Sequence, residues 1–159
     1  MPESPDPPAA PGRRRPPARW IALREHAPVL AVIALGGAIG ALARYGLAVL
    51  LPTQPGHFPV ATFLTNVSGC FLIGILMVVV TEAWTAHRLV RPFLGIGILG
   101  GYTTFSTYSV EIRGLLGSGE AGVALGYLVV TLVAVLPAVA LGMGLTRWAF
   151  VRRERAVEP

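Results

Sequence analysis

Four long apolar stretches separated by short linkers fix what this chain can become. They run from about Pro28 to Leu51, Phe58 to Val80, Pro92 to Leu116 and Val123 to Leu145. Each holds roughly 23 to 25 residues, enough for a helix to cross a ~30 Å hydrocarbon core with some tilt. The linkers Pro52–His57, Thr81–Arg91 and Gly117–Gly122 are short, which forces antiparallel neighbours and one compact up-and-down bundle. The expected fold is an all-α membrane protein with four transmembrane helices across residues 28–147. A Pro- and Arg-rich N-terminal tail (1–27) and a basic C-terminal tail (148–159) flank it.

Composition bears on class and orientation. Only 13% of residues are charged and 53% are hydrophobic, against roughly 25% charged in a soluble domain. The net charge of +5 comes from arginine alone, because the chain has no lysine. Eleven of the 13 basic residues lie in the two tails and the second linker, leaving Arg113 and Arg44 elsewhere. Basic clusters beside membrane spans anchor to headgroups and set topology, so both termini are expected in the cytoplasm and no nucleic-acid partner is implied. The stretch from Pro2 to Pro17 is too rich in Pro and Arg to build a core, so the tail is expected to be disordered or extended. Cys70 is the single cysteine, which excludes an intrachain disulfide; within an apolar run its thiol behaves as a small hydrophobe. His26, His57 and His87 have no metal-ligand spacing.

Polar residues inside the apolar stretches carry the functional signal, since polar groups at bilayer depth need an internal partner or a water-lined cavity. The densest cluster is Gly100-Gly101-Tyr102-Thr103-Thr104-Phe105-Ser106-Thr107-Tyr108-Ser109. Paired glycines and clustered hydroxyls predict a broken third helix. Such a break frees carbonyls for a cation and N–H groups for an anion. Phe105 and Tyr108 share a face if the helix resumes, and aromatic ring edges are electropositive.

In the second stretch, Asn66 sits one turn after Thr62. Its amide either glues helices together or offers N–H donors to a small anion. Gly36 and Gly40 form a small-xxx-small pair for close helix packing. Arg44, near the end of the first stretch, either snorkels to the interface or draws anions into a vestibule. The fourth stretch carries Tyr127 and Thr131, one turn apart, with Pro137 expected to kink the helix.

Three elements together resemble the Fluc (CrcB) family of small fluoride channels. They are Gly-Ala-Leu-Ala-Arg-Tyr at 40–45, Thr-Phe-Leu-Thr-Asn-Val-Ser-Gly at 62–69 and Gly-Gly-Tyr-Thr-Thr-Phe-Ser-Thr-Tyr at 100–108. They occur in the family's order, within residues 30–147. The resemblance implies that Asn66 lines a pore, that Phe105 contacts fluoride with its ring edge, and that Tyr127 and Thr131 extend a polar track. It also implies that backbone carbonyls of Gly100 and Thr103 hold a structural sodium ion (Na+) at the interface of an antiparallel dimer. Arg44 matches the family's vestibule arginine. Tyr108 departs from the pattern, because the family usually has Phe there. The arginine bias departs too: dual-topology members carry little, so the partner is either a second copy or an oppositely oriented homologue.

The expected function is passive, fluoride-selective export across a bacterial cytoplasmic membrane, with Asn66, Ser106, Phe105 and Tyr108 replacing the ion's water shell. No chemical step is required, so the chain is not expected to be an enzyme. Two alternatives are a small four-span exporter of cationic drugs and a structural membrane subunit. The exporter wants a membrane-embedded carboxylate, whereas Glu82, Glu111 and Glu120 read as lying in or near loops.

Overall fold

A computed structural model describes residues 18–83 and 88–157. Helix α1 spans Ala18–Leu50. Helix α2 spans Val60–Val78 and continues as a π-helical stretch, Val79–Ala83. The third apolar stretch begins as a π-helix, Pro92–Leu99, and passes directly into Gly100–Tyr102; the two are called α3. Helix α4 spans Ser106–Gly117 and α5 spans Ala121–Val157. No strand occurs among the described residues.

Among the described residues, three helices are long and apolar enough to cross a membrane, over His26–Leu50, Val60–Glu82 and Ala121–Phe150. The third apolar stretch is delivered instead as the shorter helices α3 and α4. Leu42, Leu50 and Leu136 are each at least 66% exposed, the outward-facing apolar surface that a lipid solvent demands.

Helix boundaries differ from the apolar runs at both ends. Helix α1 starts at Ala18, inside the stretch expected to be unstructured, and contains Pro28. The prolines of the tail end at Pro17, and Ala18, Arg19, Ala22, Leu23, Arg24 and Glu25 are good helix formers. The rest of the proposed tail, residues 1–17, lies outside the described residues. At the other end α5 runs past Leu145 through the basic segment to Val157, with Pro137 inside it. The Arg147 guanidinium donates to Glu82 Oε1 through both Nε (2.9 Å) and Nη2 (2.8 Å), tying α5 to the end of α2.

Glycines set the helix spacing. Helix α1 packs on α3, and α2 on α5. A Cβ on Gly40 would lie 2.1 Å from the Ile98 carbonyl oxygen, and one on Gly36 would lie 2.6 Å from that of Phe93. The small-xxx-small pair therefore serves close backbone approach of α1 to α3. Gly74 on α2 and Gly142 on α5 play the same part, 2.3 Å from the Val139 oxygen and 2.2 Å from the Phe71 oxygen.

The connections are tight. Gly56 (φ 78°) turns the chain between α1 and α2, and Gly119 (φ 85°) turns it between α4 and α5, both in the left-handed region that glycine enters freely. Above the second turn lies an aromatic core. Tyr127 of α5 is fully buried and meets Phe58 edge-on at 5.0 Å and Tyr108 at 4.9 Å.

Candidate functional site

The junction between α3 and α4 is built by side chains that outcompete the helix for its backbone groups. Tyr102 is the last residue of α3, and Thr103 is extended (φ −76°, ψ 156°). In an uninterrupted helix the Thr104 N–H would bond the Gly100 carbonyl. Here it donates to Asn66 Oδ1 at 2.9 Å, while Asn66 Nδ2 donates to the Thr104 carbonyl at 2.9 Å. One amide side chain on α2 thus holds both backbone groups of Thr104, and the pairing fixes which way the amide points.

The Thr104 hydroxyl continues the substitution. Its Oγ1 accepts from the Thr107 N–H at 3.1 Å, capping the first turn of α4. That N–H would otherwise have served the Thr103 carbonyl. The carbonyls of Gly100 and Thr103 are in this way released from the helical ladder, while Thr103 Oγ1 and N–H both donate to Leu99 O at 2.9 Å. The Gly101 carbonyl accepts from Arg44 Nε at 3.3 Å.

A cavity of about 450 Å³ opens beside this junction, lined by Asn66, Gly100, Thr103, Phe105, Tyr108 and Thr131, with Cys70 and Thr104. Six positions singled out in the sequence are therefore brought together. Phe105 is 80% exposed, so its ring is free on one side. It lies 6.0 Å from the Tyr108 ring, tilted by 44°. The Tyr108 hydroxyl, the atom that distinguishes it from Phe, donates to the Leu128 carbonyl of α5 at 2.9 Å. Thr131 is 5% exposed and its hydroxyl has no partner.

Three predicted positions sit elsewhere. Ser106 is exposed and does not line this cavity; its hydroxyl lies 3.3 Å from Thr104 Oγ1. Tyr127 is sealed in the aromatic core and points its hydroxyl at Glu111 Oε2, 2.8 Å away. Arg44 lines a second cavity, of about 290 Å³, with Thr62, Thr65, Thr107 and Glu111.

Glu111 is the residue that sequence reasoning misplaced. It lies well inside α4, not in a loop, because α4 starts at Ser106 and reaches Gly117. Its carboxylate accepts from Thr62 Oγ1 and from Tyr127 Oη, both at 2.8 Å, which joins α2, α4 and α5. The available signal was its spacing. Counted as a helix from Ser106, Glu111 falls one turn after Thr107 and on the same face.

Long apolar helices around an internal polar junction define a small multi-pass membrane protein whose polar side chains face cavities between its helices. Residues 31–143 match the family described as CrcB-like protein, Camphor Resistance (CrcB), and the chain belongs to that family. It is 60% identical over 121 residues to a Nocardia farcinica protein named fluoride-specific ion channel FluC 2, a match covering 76% of this chain and 86% of the relative. A Streptomyces avermitilis protein, also named fluoride-specific ion channel FluC 2, is 53% identical over 146 residues, covering 92% of this chain and 89% of the relative. A third relative, from the same Streptomyces strain and named fluoride-specific ion channel FluC 3, is 49% identical over 127 residues, covering 80% of this chain and 62% of the relative.

Proposed function

We propose that this chain is a fluoride-specific passive channel that exports fluoride from the bacterial cytoplasm. Hydrogen fluoride crosses lipid as a neutral acid and releases its anion in the less acidic interior. A channel lets that anion leave down its electrochemical gradient, driven by the inside-negative potential. The names of the relatives support the substrate. The observation that carries the mechanism is the cavity where Asn66, Phe105, Tyr108 and Thr131 meet.

Each group has work suited to a small, strongly hydrated anion. Asn66 commits one N–H to Thr104 and keeps the other. The buried Thr131 hydroxyl has a proton to give. The rings of Phe105 and Tyr108 present electropositive edges, and the Tyr108 hydroxyl is turned onto α5, so at this position tyrosine acts as the family's phenylalanine. Arg44, one cavity away, raises the local anion concentration. Binding that replaces hydration at several modest sites, instead of one deep one, suits conduction.

The rest of the assembly follows the same reasoning. Helices α3 and α4 form one membrane span interrupted at residues 103–105, with both termini cytoplasmic. Four spans enclose a pore poorly and the Phe105 ring is exposed, so two subunits pack antiparallel. The partner is a second copy or, given the arginine bias, an oppositely oriented homologue; two differently numbered relatives in one Streptomyces strain favour the latter. Two released carbonyls, Gly100 O and Thr103 O, are a neutral oxygen donor set that fits a sodium ion, and they would hold it between subunits. Such an ion supplies fixed positive charge at the dimer centre.

Glu111 reopens the cation-exporter alternative, since it is a carboxylate within the helical layer. Both its oxygens already accept hydroxyl protons, and Arg44 lines the same cavity, which leaves no vacant acid for a cationic drug. The test is fluoride efflux from liposomes holding only this chain, with chloride as control. Fluoride-selective release is expected for a self-sufficient channel. Release only after adding an opposite-facing homologue makes it half of a heterodimer, and silence in both refutes the assignment.

A further inference from the structure

Four backbone bonds would carry an uninterrupted helix from α3 into α4: the N–H groups of Thr104, Phe105, Ser106 and Thr107 to the carbonyls of Gly100, Gly101, Tyr102 and Thr103. Asn66 withdraws the first of these N–H groups and the Thr104 hydroxyl withdraws the last. Arg44 acts on the second bond from the other side, because its Nε donates to the Gly101 carbonyl at 3.3 Å across 57 residues of sequence. The packing of α1 builds that contact. Gly36, Gly40 and Arg44 follow one another at intervals of four and share one face of α1. A Cβ on Gly40 would stand 2.1 Å from the Ile98 oxygen and 2.7 Å from the Tyr102 nitrogen, and one on Gly101 would stand 2.3 Å from the Gly37 oxygen. The backbones of α1 and α3 therefore touch up to the last turn of α3, and Arg44, one turn beyond Gly40, is delivered to its end. A helix finishes there with unpaired carbonyls and partial negative charge, where a cation is favoured.

We propose that Arg44 is a positioning residue of the fluoride pathway, which caps α3 from α1 and so keeps Phe105 in place beside the cavity. Phe105 carries the N–H whose helical acceptor Arg44 holds. Attracting anions needs only the charge of Arg44, whereas this role needs a donor at the Nε position and no contact with the anion. Without that donor the Gly101 carbonyl is left bare at bilayer depth, where an unpaired backbone group is costly. Asn66 and Thr104 still hold the two outer N–H groups, so the helix does not simply close. The junction loosens instead, and the Phe105 ring loses its fixed place in the cavity wall. The consequence for flux rests on the channel assignment, whereas the cap itself does not.

Three replacements separate cap from charge. The amide nitrogen of Gln stands as many bonds from Cα as the Arg Nε, so Arg44→Gln keeps a donor and drops the charge. Arg44→Lys keeps the charge and puts a methylene at that position, and Arg44→Met keeps neither. The full chain is compared in liposomes at saturating fluoride, by fluoride efflux and by the ratio of fluoride to chloride release. Amide exchange at Thr104 and Thr107 is followed on the same preparations in detergent. The Met and Lys variants are expected to lose efflux and ratio about tenfold and to exchange about tenfold faster, as for a lost hydrogen bond to a charged group, while Gln stays within about threefold of wild type in all three. A loss of stability alone would lower yield without moving the ratio. A Gln variant no better than Lys overturns the proposal, as do three variants near wild type. Where the Met variant does not fold, Gln against Lys decides alone. If the wild-type chain passes no fluoride, the channel assignment fails separately. Faster exchange in Lys than in Gln then still supports the cap, and equal exchange overturns it.

Discussion

Replacing Asn66 separates an architectural role from a conducting one, and the structure gives magnitudes for both. Asn66→Ala removes the two 2.9 Å hydrogen bonds that hold the Thr104 N–H and carbonyl. A buried polar group left without its partner costs about 1–3 kcal/mol, so the junction loses about 2–6 kcal/mol before water or relaxation repairs it. The remaining Nδ2 N–H, if given to fluoride, is a hydrogen bond to a charged group worth about 1.5–3 kcal/mol. At about 1.4 kcal/mol per factor of ten, its loss lowers flux about ten- to a hundredfold. Asn66→Asp is the sharper test of the donor, because an ionised carboxylate still accepts from the Thr104 N–H but offers no donor, sets an oxygen against the Thr104 carbonyl and repels the anion. Both variants are therefore expected to lose thermal stability in detergent, and the Asp variant to conduct less than the Ala variant. Electrode-recorded efflux from liposomes, with unfolding followed on the same preparations, reads both. An Asp variant conducting at the wild-type rate refutes the donor role of Asn66.

Three further substitutions test other parts of the argument. Gly40→Val forces a side chain onto the Ile98 carbonyl and the Tyr102 nitrogen, 2.1 and 2.7 Å from the new Cβ. It is expected to cost about 1–3 kcal/mol or more, seen as lowered yield and melting temperature, whereas Gly46→Ala, inside α1 with open space around it, lowers neither and raises the melting temperature slightly. Tyr108→Phe removes only the bond to Leu128; stability is expected to fall by about 0.5–1.5 kcal/mol and liposome efflux to stay near wild type. Glu111→Gln leaves one oxygen for two hydroxyl donors, so a loss of about 1–3 kcal/mol in detergent unfolding is expected, and Thr62→Val in the same background recovers part of it.

The sequence made legible whatever depends on hydrophobic length and on residue type at close spacing. Apolar runs located α1, α2 and α5, and Gly36 and Gly40 announced a close helix contact, though not that α3 would make it. The paired glycines at which the sequence suggests a break are themselves helical, and the chain leaves helix only at Thr103, so glycine content did not locate that residue. The start of α1 at Ala18 was not legible either, since a proline that is tolerated inside a helix looks the same in sequence as one that ends it. Nor was the π-helical winding of Pro92–Leu99, which has no side-chain signature. The partners of Arg44 and Glu111 also escaped. A guanidinium on the Gly101 carbonyl and a carboxylate on two hydroxyls from other helices are long-range pairings that spacing along one helix cannot specify.

What joins the legible and illegible parts is competition for hydrogen bonds. A helix through residues 99–107 would satisfy every backbone group internally, and in a membrane that is the default. The chain departs from it because Asn66 takes both groups of Thr104 and the Thr104 hydroxyl takes the N–H of Thr107. The same two side chains thereby free the Gly100 and Thr103 carbonyls beside the cavity that the Phe105 ring lines. Break and site are one feature, so deleting any of these side chains disturbs fold and function together. Only replacements that keep the shape while changing the donor count, such as Asn66→Asp or Thr104→Val set against Thr104→Ser, can tell them apart. Thr104→Ser keeps the cap on Thr107 and is expected to preserve the junction, whereas Thr104→Val removes that acceptor and lets Thr107 return to the Thr103 carbonyl. If carbonyl release matters for the proposed assembly, the Val variant fails to form that dimer while α4 remains helical; an assembled, conducting Val variant would detach the interruption from the site.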